Sequence, residues 1–212
     1  MLQIRTFTPD DAGTWNNFVR THPQGTLFHL IEWKRVVEQT FGHRSHYLIV
    51  EQNGHTGGKE VAGILPLFEI KSRLFGHSLV SVPFAEKGGL LAETPEAAGN
   101  LLDQASAFAA EHKAEYVELR NTRALDKLPT KDLYVSFRKA IAPDPDENLR
   151  AIPRKQRRMV RQGLKNGLKA VFGHEHLPAF YRMLAINFHR LGTPIFPYKL
   201  FGSFIDHFAY QA

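Results

Sequence analysis

Arg154, Arg158, Arg161 and Lys165 recur at i, i+4, i+7 and i+11. A helix advancing about 100° per residue would stack these four cations within about 60° of one another. Neighbouring like charges on such a face repel by a few tenths of a kcal/mol per pair, and glutamates at i±4 would relieve that. The sequence supplies none: 152–169 contains seven Lys and Arg and no acid, and extending back to residue 150 makes the count eight. A purely solvated face normally mixes signs, so the spacing points to an anion-facing stripe. Its chemistry is positioning, since cations neutralise and orient phosphates or carboxylates without performing a reaction. The phosphates of a nucleotide-linked substrate, a tRNA, an acidic lipid surface and an acidic polysaccharide all remain open. Sequence-specific DNA reading is not expected, because no helix-turn-helix, zinc or RNP-type aromatic pattern accompanies the stripe.

Other chemistry-bearing residues are more scattered. "FHRLGTPIFPY" sets His189 and Arg190 at a helix end, where the dipole favours cations and where a substrate contact is equally served. "LFHLIEWKR" places Lys34 and Arg35 beside Trp33, with the Trp in the core and a cation free to face a cleft. "EYVELRN" puts Tyr116, Glu118 and Arg120 on one side of a strand, with Asn121 just past its end. His174 and His176 in "GHEHLP" do not share a helix face, so a surface turn is expected there and no metal site. No GxSxG, HExxH, GxxxxGK[ST] or strand-linked GxGxxG occurs. The chain has no cysteine, which excludes disulfides, thiolate metal sites and a cysteine nucleophile.

The formal charge of the 212 residues is +6, and 150–169 alone carry +8, leaving −2 for everything else. The basic character belongs to one segment, which argues for a local anion site over a diffuse nucleic-acid coat. Hydrophobic residues make up 43%, enough for a core. The N-terminus lacks signal-peptide character and no run approaches the roughly 20 apolar residues of a membrane span, so a cytoplasmic protein without a transmembrane segment is expected.

These residues need elements to hold them. "LQIRTF" alternates as a strand, and "TPDD" opens a helix through Trp15, Phe18 and Val19 that stops near "THPQG". Leu30, Trp33, Val36, Val37 and Phe41 mark a second helix ending at Gly42. "HYLIVEQ" and "EVAGILPLFEI" form a hairpin around "NGHTGG", and "HSLVSVPF" reads as a further strand before the loop "AEKGGLLAETP". A helix over about 95–113 follows, then "AEYVELR" and "KDLYVSFRKA" as strands. The order β-α-α-β-β-β-α-β-β indicates an α/β (α+β) fold with a mixed, mostly antiparallel sheet flanked by helices. "APDPDEN" divides the chain into 1–143 and 144–212. Beyond it come the basic helix, with Leu149, Ile152, Val160, Leu164 and Leu168 on its apolar side, a strand-like "KAVFG", and a helix over about 176–191. Helices with no sheet to lie on are expected to be the start of a second, incomplete unit.

The segments "IPRKQRRMVRQGLKNGL", "RLGTPIFPYKLF", "TLFHLIEWKRVVEQTFGH", "SRLFGHSLVSVPF", "YVELRN" and "TKDLYVSFRK" resemble the FemAB-type transferases. Within that group they are most similar to the FemAB-related proteins associated with PEP-CTERM/exosortase and exopolysaccharide systems. The likeness runs over essentially the whole chain. It implies an N-acyltransferase-like (GNAT) fold present twice, with 1–143 as the first unit and the second starting at the basic helix. It also implies transfer of an acyl group, from an aminoacyl-tRNA or an acyl-CoA, to an amine of a phosphorylated cell-envelope (peptidoglycan) or exopolysaccharide precursor. The donor would be a substrate, with no tightly bound cofactor. Family members hold a diphosphate with a Lys of the first unit and an Arg of the second. Lys34 matches the former, while Tyr198 and Lys199 stand where the latter, followed by an aromatic, is usual. The Q/RxxGxG/A loop for the CoA pyrophosphate is missing, and the second unit's later strands are not among these residues, so the chain alone is expected to be inactive or incomplete. The other expectation, from a different class, is a non-catalytic module docking on a polyanion or membrane surface through the basic helix.

Overall fold

A computed structural model describes residues 1–54, 57–74, 76–125, 128–131, 133 and 135–209. By packing they form two units, one of Met1–Leu128 with Met183–Ala212 and one of Pro129–Arg182. Along the chain run β1 (Gln3–Thr6), α1 (Ala12–Thr21), α2 (Ile31–Phe41), β2 (Arg44–Ser45), β3 (Leu48–Asn53), β4 (Lys59–Leu65), β5 (Phe68–Ser72), β6 (Gly76–Val80), β7 (Leu91–Ala92), α3 (Pro95–Glu111) and β8 (Tyr116–Glu118). Then follow α4 (Pro145–Arg150), α5 (Arg154–Lys165), α6 (Leu177–Arg190) and α7 (Tyr198–Phe208).

The first unit carries both sheets. One has the order β1-β3-β4-β7 with every neighbour antiparallel; the other has the order β2-β5-β6-β8, in which only β6 and β8 run parallel. The mixed, mostly antiparallel α/β architecture expected from the sequence is the one observed. "EVAGILPLFEI", however, is two strands and not one. Pro66 has no N–H for a ladder and falls between β4 and β5, which belong to different sheets.

Alternation on the strands builds a core on each face. Tyr47 and Ile49 join Trp15, Phe18, Trp33, Val36 and Val37 of α1 and α2, along with Leu200 and Phe208 of α7. Leu48 and Val50, one residue out of phase, join Ala97, Leu101 and Ala105 of α3. Local signals place the helices where the sequence expects them. Thr94 Oγ1 accepts from the Ala97 amide at 3.1 Å with Pro95 in the first turn of α3, and Gly42 ends α2 at φ 69°. Arg5 pins the entry to α1 against the sheet, donating to Asp11 at 2.7 Å and to Glu51 at 2.6 Å. The turn joining β3 to β4 closes through Gly54 N–H to Gly58 O at 2.7 Å; its His55 and Thr56 lie outside the described residues.

The second unit differs in kind. Asp144 caps α4 by accepting from the Asp146 amide at 2.9 Å, and Asn148 ties the helix to Ala142. None of its described residues is buried. Two expected strands are corrected here. The described part of "KDLYVSFRKA" (Asp132 and Tyr134 lie outside it) and all of "KAVFG" have no strand partner, with Phe137 93% and Phe172 90% exposed. Their alternation has no sheet edge to pair with, and an unpaired strand in water is not stable. Likewise Val160, Leu164 and Leu168, expected to pack, are exposed.

Candidate functional site

α5 begins after Pro153 without a side-chain cap and ends at Asn166. The predicted stacking holds: Arg154, Arg158, Arg161 and Lys165, together with Arg157 and Gln162, line one groove of about 450 Å³. Every lining residue belongs to α5, so the groove is a channel between the side chains of a single helix. Among the described residues, none of the four cations has an ion-pair partner. The four span eleven steps of 1.5 Å, about 16 Å along the helix. That arrangement is an exposed, uncompensated row of charge, suited to several phosphates in sequence. Gly163 and Gly167, which lower helix propensity, lie within and just past its last turn, Gly167 at φ 74°.

Of the remaining sequence candidates, Lys34, Arg190 and Lys199 belong to the first unit. Lys34 lies on α2 but is not a free cation. Its Nζ donates to both carboxylate oxygens of Glu38 at 2.8 Å and lies 6.0 Å from the ring centres of Phe7 and Tyr47. Ser45 Oγ donates to the same carboxylate at 2.5 Å. Burial first, and the Glu38 charge second, push the Tyr47 hydroxyl well above its ordinary range, keeping it neutral. A phosphate at Lys34 has to displace Glu38. Arg190 is exposed at the end of α6, where Ala185, Ile186, Phe188, His189, Thr193 and Ile195 complete a largely apolar groove of about 530 Å³. Lys199 is exposed in the first turn of α7. His174 and His176 occupy an exposed 3-10 turn.

The sequence marks a loop from Ala85 onward, but not that its 85–90 stretch packs against the end of β8. β6 and β8 run parallel, and this loop and residues 119–121 leave from their carboxyl ends, a favoured place for ligands in α/β sheets. Asn121 Oδ1 accepts from the Leu90 amide at 3.0 Å, the Arg120 carbonyl accepts from Gly88, and Arg120 Nη1 donates to Ala85 O at 2.6 Å. Gly89 lies so close to Asn121 that a Cβ there would collide with Oδ1. From the other side, Thr26 Oγ1 donates to Lys87 O at 3.1 Å. The Thr26 amide donates to His29 Nδ1 at 3.1 Å, so the ring proton is on Nε2, which donates to Gly89 O at 3.1 Å. Burial lowers His29 to about 4, and protonating Nδ1 would break the Thr26 bond. Glu118 and Arg120, expected on one side of the strand, hold each other at 2.8 Å. The only sequence signal for the loop is the pair Gly88–Gly89.

The chain matches no protein-family model and no curated protein. Among solved structures it is similar to the aminoglycoside antibiotic 6'-N-acetyltransferase AAC(6')-Ih from Acinetobacter baumannii, at 16% identity over 67% of this chain and all of that one, with a TM-score of 0.41. It is also similar to a transcriptional regulator from Bacillus halodurans C-125, at 14% identity over 66% of this chain and all of that one, with a TM-score of 0.40. Likeness at such scores says nothing about chemistry, so the site has to be understood from its own residues. Among the described residues no helix is long and apolar enough to cross a membrane.

Proposed function

We propose that this chain is a FemAB-type N-acyltransferase of GNAT-like fold, acting in the cytoplasm on an amine of a phosphorylated cell-envelope or exopolysaccharide precursor. The motif likeness over the whole chain supports the family, with 1–143 as its first unit and the second beginning at 144. The observation that carries the reading is the row Arg154, Arg158, Arg161 and Lys165 lining one groove without counter-charges. Its length of about 16 Å exceeds a lone pyrophosphate and favours the backbone of an aminoacyl-tRNA donor over acyl-CoA. In the reaction the acceptor nitrogen attacks the ester carbonyl carbon, a C–N bond forms and the C–O bond to the tRNA ribose breaks. The nitrogen gives up a proton and the departing ribose oxygen gains one. The basic face fixes the donor's position; Lys34, Arg190 and Lys199 are candidates for the acceptor's phosphates.

The test is binding of fluorescently labelled tRNA across a salt series, combined with transfer of a labelled aminoacyl or acyl group to amine acceptors. Four phosphate contacts predict a log–log salt slope near −3 for single-stranded segments, reduced to near zero when all four cations become Gln. A salt-independent affinity would overturn the role of the row. Salt-dependent binding with transfer from neither donor would favour the non-catalytic docking module instead.

A further inference from the structure

Three histidines from different segments converge on Glu69, which is 7% exposed on β5. His77, on the neighbouring strand β6, places Nε2 2.8 Å from Glu69 Oε1. His112, at the carboxyl end of α3, places Nδ1 3.2 Å from the same oxygen. His46, between β2 and β3, is 8% exposed and fixed by its own amide, which donates to Leu67 O at 2.7 Å. Its ring meets that of His112 edge-on at 4.7 Å.

Hydrogen bonding accounts for His77 and His112 but not for His46. The buried His46 Nε2 has no hydrogen-bond partner and lies 3.9 Å from Glu69 Oε2. A buried polar atom without a partner is costly and needs a reason. One ligand atom from each of His46, Glu69 and His112 lies within 4.8 Å of the others. Zinc bonds of about 2.0–2.2 Å in tetrahedral geometry put ligand atoms about 3.3–3.6 Å apart, so a set already within 4.8 Å, with His46 Nε2 3.9 Å from Glu69 Oε2, needs only a small contraction to close on one ion. Two imidazoles and a carboxylate form a borderline donor set that suits zinc-class ions over magnesium or calcium. The site is reachable, since the side chains of His77 and His112 keep 18% and 19% of their surface exposed.

We infer that His46, Glu69 and His112 bind one zinc-class divalent cation, leaving a coordination position for water. His77 is a positioning residue: it holds Glu69 Oε1 at 2.8 Å and so keeps Oε2 turned toward His46. Lys71, whose Nζ lies 2.9 Å from Glu69 Oε1, supplies the competing positive charge. Its side chain is 65% exposed and is free to swing into water when the ion enters. Arg44, opposite Glu69 in the β2–β5 register, is the other nearby cation. The inference does not depend on the acyltransferase reading, since it uses none of the same residues.

Untagged, chelator-treated protein titrated with Co²⁺ and then Zn²⁺ tests it. The expected result is one equivalent per chain, with Co²⁺ absorption of a four- or five-coordinate nitrogen–oxygen site displaced by Zn²⁺. His77→Gln should weaken binding by about 10–100-fold, and His112→Ala by more. Lys71→Gln, a change at an exposed side chain that leaves the fold intact, should tighten it. A His174→Ala/His176→Ala double variant should bind as the parent does. Absence of micromolar Co²⁺ uptake, equal uptake by His112→Ala, unchanged affinity in Lys71→Gln, or loss of uptake in the double variant would each overturn the site.

Discussion

α2 buries Ile31, Trp33, Val36 and Val37, whereas none of the residues of α5 is buried. Both helices are amphipathic in sequence, and the difference lies in what surrounds them. In the first unit, two sheets offer α2 and α3 a surface whose side chains alternate between two cores. In the second unit no described residue forms a strand, and the apolar residues Met159, Val160 and Leu164 of α5 are exposed. Periodicity states which face a helix could bury; only a partner surface decides whether it does. Stability is therefore concentrated in the first unit. The second devotes its surface to charge, an arrangement that suits ligand contact better than self-support.

Three measurements sharpen or break this contrast. The largest effect is expected for Phe68→Ala, a fully buried ring, which should cost about 3–5 kcal/mol in denaturant unfolding. A loss below 1 kcal/mol would remove the claim that this core carries the fold. Next is the His29 titration. Its pKa in the folded protein, about 4, lies below its ordinary 6.5, so between those values the unfolded chain binds the proton that the folded one refuses. Stability is thus full above pH 6.5 and falls as the pH drops toward 4, by about 3 kcal/mol. Unfolding curves of parent and His29→Gln from pH 7 to 4 should show a steeper loss of stability in the parent, the difference between the two being the His29 contribution. The smallest effect is expected for Phe172→Ala in the second unit, within about 0.5 kcal/mol of the parent. A cost of several kcal/mol there would mean that this ring is packed in solution.

Much of the first unit was legible because its signals are local. Thr94 and Pro95 announce α3, Gly42 ends α2, and the glycines around Asn53 mark the hairpin. The basic row was equally legible, since four residues at helical spacing need no knowledge of the rest of the chain. What stayed hidden depends on tertiary placement. "VSFRK" alternates as well as any strand, yet nothing pairs with it among the described residues. The split at Pro66 follows from two sheets that the letters do not announce. His46, Glu69 and His112 carry no motif, because each comes from a different segment and only the β2–β5–β6 register and the end of α3 bring them together. Lys34 was placed correctly on its helix, but its pairing with Glu38, one turn along, is what limits its availability.

The tight fit of Gly89 against Asn121 has a consequence for how this chain could have changed over time. A larger residue at 89 is barred while the amide at 121 is in place, and shortening 121 first leaves the Leu90 N–H without its acceptor. Each single step passes through a worse protein, and because the backbone nitrogen of 121 would itself lie 2.9 Å from a Cβ at 89, this historical lock opens only when the surrounding loop is rebuilt as well.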